Sequence, residues 1–291
     1  MRIFFDIITI LGFVLTVLGT YLTIRSGDGE IIIKDEFLRY GFIIIIVLSY
    51  IAYNYCRKYH IAKSVFKGRS KMIEVFSKSI ELGEVLRNGK PSLNSCIEKF
   101  SILCQLVAKG LREYINVPVS VCLLYVNQDD SPKHYYVKTL SRDIDTNIKR
   151  NQKSTLYDGI KDYISDNTDF SKIVKLIDDH PAEDVYFYSN CLPAYLGYRN
   201  THIIGRWRSW FYRTIAFLTF GLFCWNLPYK SAIVVPVIPY NKQGKKYIEG
   251  FICIDSPRIF PFLKQYDLAI LRDVASGLHP ILELFNKKYM K

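Results

Sequence analysis

Apolar and polar residues along this chain fall into unbroken, helical and alternating patterns, and each predicts a different kind of element. The two unbroken runs come first. Ile7 to Ile24 and Tyr40 to Tyr55 carry no charge, and each is close to the length a helix needs to cross ~30 Å of hydrocarbon at ~1.5 Å per residue. They predict two transmembrane helices over residues 1–56. A cleaved signal peptide is the rival reading of the first run, but no small-residue cleavage site follows it and the second run comes soon after. The intervening loop, Ser26 to Arg39, is mostly acidic, whereas Arg57 to Lys71 holds six basic residues and no acidic one. By the positive-inside bias the loop lies outside, and the expected localisation is the cell inner membrane, multi-pass, with both termini cytoplasmic.

Helical periodicity takes over after the second run. Val65, Met72, Val75, Phe76, Ile80, Leu82 and Leu86 form a broken stripe that predicts a juxtamembrane stalk helix over residues 57–90, ended by Asn88-Gly89-Lys90-Pro91. Ser92 then caps a second helix, whose stripe runs from Leu93 through Ile97, Phe100, Leu103, Val107 and Leu111 to Ile115. A third amphipathic pattern closes the chain, with Leu263, Tyr266, Ile270, Leu271, Val274, Leu278 and Leu282 at three- and four-residue spacing.

Alternation marks the strands. Pro118 to Asn127 and His134 to Leu140 read as an antiparallel pair around the turn Gln128 to Pro132. Ser231 to Tyr240 and Tyr247 to Ile254 read as a half-buried hairpin around the polar turn Asn241 to Lys246. Between the pairs, Ser141 to Tyr229 is irregular, with short helices expected around Leu156 to Ile164 and Phe170 to Ile177. The fold class is therefore α+β, with domains at 1–56, 57–90 and 91–291.

The late hairpin also carries recognisable residues: Tyr229 and Ser231 before its first strand, Val235 to Val237 within it, Glu249 to Phe251 entering the second, and Ile254 to Ser256 ending it. In these residues and in its element order, the chain resembles a GAF domain, a small-molecule-sensing module with a central antiparallel sheet flanked by helices. The resemblance implies a regulatory role and a ligand cavity closed over by the irregular middle region; it names no ligand.

Charge and chemistry add three points. A formal net charge of +12 favours anionic partners, whether lipid headgroups, nucleotides or nucleic acid. The seven cysteines stand singly, without CxxC or metal-finger spacing, as buried reduced thiols do. No phosphate-binding loop, GxGxxG, HExxH or GxSxG occurs, so neither an enzymatic reaction nor a cofactor is expected.

Two segments stand out as candidate sites. Arg206, Trp207, Arg208, Trp210 and Arg213 crowd forked guanidinium donors beside aromatic faces, the combination that holds phosphates and stacks bases. An aromatic wedge at a membrane surface and packing across a subunit interface are the alternatives. In the first apolar run, Thr9, Gly12, Thr16, Gly19, Thr20 and Thr23 share one helix face, extended by Asp6. Such a face permits close helix packing; in an oligomer, Asp6, Thr9, Thr16, Thr20 and Thr23 would line a polar pore.

Two spans before a sensing module resemble, in architecture, the membrane effectors of bacterial anti-phage signalling systems. That resemblance implies a homo-oligomer in the lipid bilayer and a pore or ion channel gated by a nucleotide or oligonucleotide signal, with a nucleotidyltransferase as partner. The alternative is a membrane-tethered sensor or scaffold that signals through a partner protein without a channel.

Overall fold

In the computed structural model, which describes residues 71–128, 135–146, 161–179, 185–195, 197–203, 209–239 and 248–289, the hairpin motifs of the sequence meet face to face. Strand β5 (Ser231–Val237) pairs antiparallel with β6 (Gly250–Ser256), so Pro236 lies opposite Phe251 and Val237 opposite Gly250. Gly250 is required there, because a Cβ would sit 2.1 Å from the Leu124 carbonyl oxygen. Pro236 is tolerated because β4 (Phe187–Ser189) pairs only with Ala232 to Val234 and needs no amide at residue 236.

The sheet has six strands in the order β3-β2-β1-β6-β5-β4, every neighbouring pair antiparallel. Its other members are β1 (Ser120–Gln128), β2 (Tyr135–Arg142) and the two-residue β3 (Asp162–Tyr163). One face is covered by helix α1 at residues 71–88, α2 (Leu93–Ile115) and α5 (Lys264–Tyr289), the other by α3 (Thr168–Asp179) and the irregular segment before β5.

Strand alternation divides the residues between two cores. Ile233, Val235 and Val237 join Phe100, Leu111, Leu271 and Phe285 under the long helices. Ala232, Val234 and Phe251 join Phe170, Ile173, Phe187 and Tyr198 on the other side. Every residue of β5 is buried, which corrects the half-buried expectation for the hairpin. A central strand covered on both faces needs apolar residues at successive positions, as Ala232 to Val235 supply.

Helix ends follow local chemistry. The Ser92 hydroxyl accepts from the Ser95 amide, and Asn116, in the left-handed conformation, closes α2 by donating its amide to the Arg112 carbonyl. At the start of α5, the Asp267 carboxylate accepts from the Leu263 amide at 2.7 Å. Residues expected as a stalk pack within the core: Met72, Val75, Leu82 and Leu86 are buried with α5, and Lys288 donates to the Gly89 carbonyl at 2.7 Å.

Two further expectations are corrected. Asp162 and Tyr163 are not helical, because they pair with Val137 and Tyr136 at the sheet edge, and a short 3-10 turn follows at Ile164–Asp166. The multi-pass inner-membrane placement is overturned: among the described residues, no helix is long and apolar enough to cross a membrane. The long helices α2 and α5 carry exposed charged positions such as Lys109 and Lys287. The chain divides into two compact units, Met1–Ser64 and Val65–Lys291. All described residues belong to the second, so the expected spans at 7–24 and 40–55 lie outside them.

Candidate functional site

Helix α3 begins next to a polar chain buried beneath the irregular segment. Asp169, in the first turn of α3, turns its carboxylate inward, where Oδ1 accepts from the Phe170 amide at 3.1 Å and Oδ2 accepts from the Tyr198 hydroxyl at 3.5 Å. Asn200 Nδ2 donates to the hydroxyls of both Tyr198 and Tyr229, each at 3.3 Å, and its Oδ1 accepts from the His202 amide. His202 Nε2 in turn lies 3.2 Å from the Asp162 carboxylate. Polar groups from α3, the edge strand and the segment before β5 thus form one connected set.

The surroundings are aromatic. Tyr198, wholly buried, packs against Phe187, Tyr195 and Trp225, the last at a ring separation of 6.3 Å. Trp225 is pinned by its indole N–H, which donates to the Tyr229 carbonyl at 2.7 Å. Burial pushes the Asp169 carboxyl up to about 7, the nearby Asp162 adding to the effect and the Phe170 amide and Tyr198 hydroxyl opposing it. Burial also holds the Tyr198 hydroxyl well above its usual range, and the Asp169 charge reinforces this. The arrangement can therefore exchange a proton at Asp169 near neutrality and offers several hydrogen-bonding groups out of water.

Helix α4 (Trp210–Leu218) carries the two candidate ligand residues that fall among the described ones. Trp210 is 79% exposed. Arg213, one turn further on, is half-buried; desolvation pulls its guanidinium below the usual arginine range, with the nearby Tyr198 hydroxyl opposing the effect. Arg213 makes no ion pair with a described residue. Arg206, Trp207 and Arg208 lie outside the described residues, as do Asp6, Thr9, Thr16, Thr20 and Thr23.

Sequence reasoning missed Asp169, Tyr198, Asn200, His202 and Asp162. The usable signal was the polar run Tyr198 to His202 inside an otherwise apolar stretch, but no periodicity links it to Asp169, about thirty residues earlier. Tyr229 was singled out as part of the GAF resemblance, and its hydroxyl joins this set.

No protein-family model and no curated protein sequence matches the chain. Among solved structures, the chain is similar to a GAF domain at 15% identity, over 75% of this chain and 94% of that one, with a TM-score of 0.40. It is similar to the GAF domain of a phosphoenolpyruvate-protein phosphotransferase from Coxiella burnetii at 13% identity, over 76% and 96%, with a TM-score of 0.38. A type II free methionine-R-sulfoxide reductase from Thermoplasma acidophilum is similar at 16% identity, over 65% and 96%, with a TM-score of 0.38. The α+β architecture, with its six-stranded antiparallel sheet, fits a GAF-like domain. Likeness at these scores carries nothing about ligand or reaction.

Proposed function

We propose that this chain is a ligand sensor and that its ligand is a phosphate-bearing nucleotide, held through Arg213 beside Tyr198. The observation that carries the reading is Arg213 itself. A half-buried guanidinium without a carboxylate among the described residues has given up water without gaining a counter-charge, and an anionic ligand would supply one. Trp210 on the same helix offers an exposed face on which a base can stack.

Ligand binding would be passed on through a partner protein or a second copy of the chain. Pore formation and the anti-phage role, expected from architecture alone, require the multi-pass placement and have no carrier among the described residues. Sensing does not require it.

The test is a thermal-shift titration of the full chain with mononucleotides, cyclic nucleotides and short oligonucleotides, repeated on Arg213→Gln. A phosphate-bearing ligand should raise the melting temperature, and the variant should bind it at least about tenfold more weakly, the loss expected for one charge-assisted hydrogen bond. Equal affinity in the variant, or no shift with any of the ligands, would remove the proposal.

A further inference from the structure

The C-terminal end of α4 runs into a finger of apolar side chains, Phe217 to Phe223, with the sequence FLTFGLF. Leu218, Leu222 and Phe223 are 68%, 75% and 66% exposed, and Phe217 and Phe220 also face outward. An apolar cluster of this kind on a folded surface marks a place of contact.

Three observations say what kind of contact. The first is the backbone. The amides of Thr219, Phe220, Gly221 and Leu222 donate to carbonyls of Ile215, Phe217, Ala216 and Thr219, and the Phe223 amide donates to the Thr219 hydroxyl. The same hydroxyl donates to the Ile215 carbonyl at 2.7 Å. The finger thus satisfies these donors from within itself, the condition for backbone entering a medium that offers no hydrogen bonds.

The second is rigidity. Phe220 and Cys224 hold positive φ angles of 48° and 59°, a conformation that costs a non-glycine residue energy and persists only where its surroundings enforce it. Gly221, at φ 70°, lies so close to Pro193 that a Cβ would come within 2.6 Å of the proline ring. The apolar tip is therefore presented ready-formed.

The third is charge. Between Val185 and Ile248 the chain has eight lysines and arginines and no aspartate or glutamate. A chain of net charge +12 repels a second copy of itself, whereas an anionic surface complements it.

We infer that the finger docks on an anionic lipid surface, with Leu218, Phe220, Leu222 and Phe223 entering the boundary between headgroups and acyl chains and the chain's net positive charge favouring anionic headgroups. Such a contact lies on a bilayer and needs no spanning helix. It stands on the exposed tip, independently of the ligand proposed at Arg213.

The experiment is co-sedimentation of the full chain with phosphatidylcholine vesicles, with and without phosphatidylserine, at low and high salt, for the native chain and for Leu222→Asp/Phe223→Asp. Both positions are exposed, so the variant should keep the native melting temperature. Binding should require phosphatidylserine, weaken with salt, and fall at least about tenfold in the variant. The inference is overturned if the native chain fails to bind or binds both vesicles alike, or if the variant binds as well as the native chain. It is also overturned if light scattering shows a dimer that the variant abolishes while vesicle binding is unchanged, since the finger would then be an interface between copies.

Discussion

The Tyr198 hydroxyl donates to Asp169 Oδ2 across 3.5 Å in an interior from which both side chains have lost almost all contact with water. The pair links α3 to the irregular segment before β5. It also places a proton that is exchanged near neutrality in the middle of the second core.

Asp169 should make stability fall as pH rises. Its folded-state value of about 7 lies above the ordinary carboxylate value of ~3.9, so between the two the folded chain keeps a proton that the unfolded chain has released. The contribution is fully present below about pH 4, declines up to about pH 7 and is lost above it, with an upper bound of about 4 kcal/mol at ~1.36 kcal/mol per pH unit. Melts of Asp169→Asn at about pH 5 and about pH 8 should lose this component of the pH dependence. An unchanged difference in melting temperature between the two would assign it to other groups.

Arg112 is the counter-charge for a wholly buried carboxylate. Its Nη2 lies 2.9 Å from Asp143 Oδ1, while Asp143 Oδ2 accepts from the Val121 amide at 2.9 Å and so ties α2 to β1. Arg112→Met should cost about 3–5 kcal/mol, because Asp143 stays buried without its partner. Arg112→Lys should cost less but not nothing, since it keeps the charge and loses the fork that also reaches the Val119 carbonyl. Urea midpoints at constant slope would measure both.

Two glycines should respond to alanine with opposite signs. At Gly250 a Cβ would meet both the Leu124 carbonyl oxygen and the Leu282 side chain, at 2.1 and 2.8 Å. Gly250→Ala should destabilise by more than about 3 kcal/mol, since β1 and β6 would have to separate. At Gly83, inside α1, the nearest atom is Ile281 Cγ1 at an ordinary 3.7 Å. Gly83→Ala should stabilise by about 0.5–1 kcal/mol through helix propensity. Denaturant curves would check both signs, and a stabilised Gly250→Ala would contradict the close approach of the strands.

Much of the fold was legible because its long elements repeat. The stripe from Leu93 to Ile115 became α2 with Ser92 as its cap, and the pattern beginning near Leu263 became α5. Pro118 to Asn127 and His134 to Leu140 foreshadowed β1 and β2 to within a few residues. The edge strands β3 and β4 were not legible. Two or three residues hold no period, and Asp162 and Tyr163 are extended only because β2 offers them partners.

The candidate site was legible in one part only. An Arg-Trp cluster is visible in composition, which picked out Trp210 and Arg213. That one of these is 79% exposed while the other is half-buried beside Tyr198 depends on how α4 packs.

The sequence by itself determined which residues form the long helices and the four principal strands, because periodicity and capping are local properties. It also determined the charge and the apolar composition of residues 217–223. Tertiary structure alone decided that the hairpin is buried on both faces and that residues 71–88 belong to the core. It likewise joined Asp169 to Tyr198, Asn200 and Tyr229. The reason is physical: burial and electrostatic neighbourhood arise between segments far apart in sequence, and no local pattern records which faces will be covered.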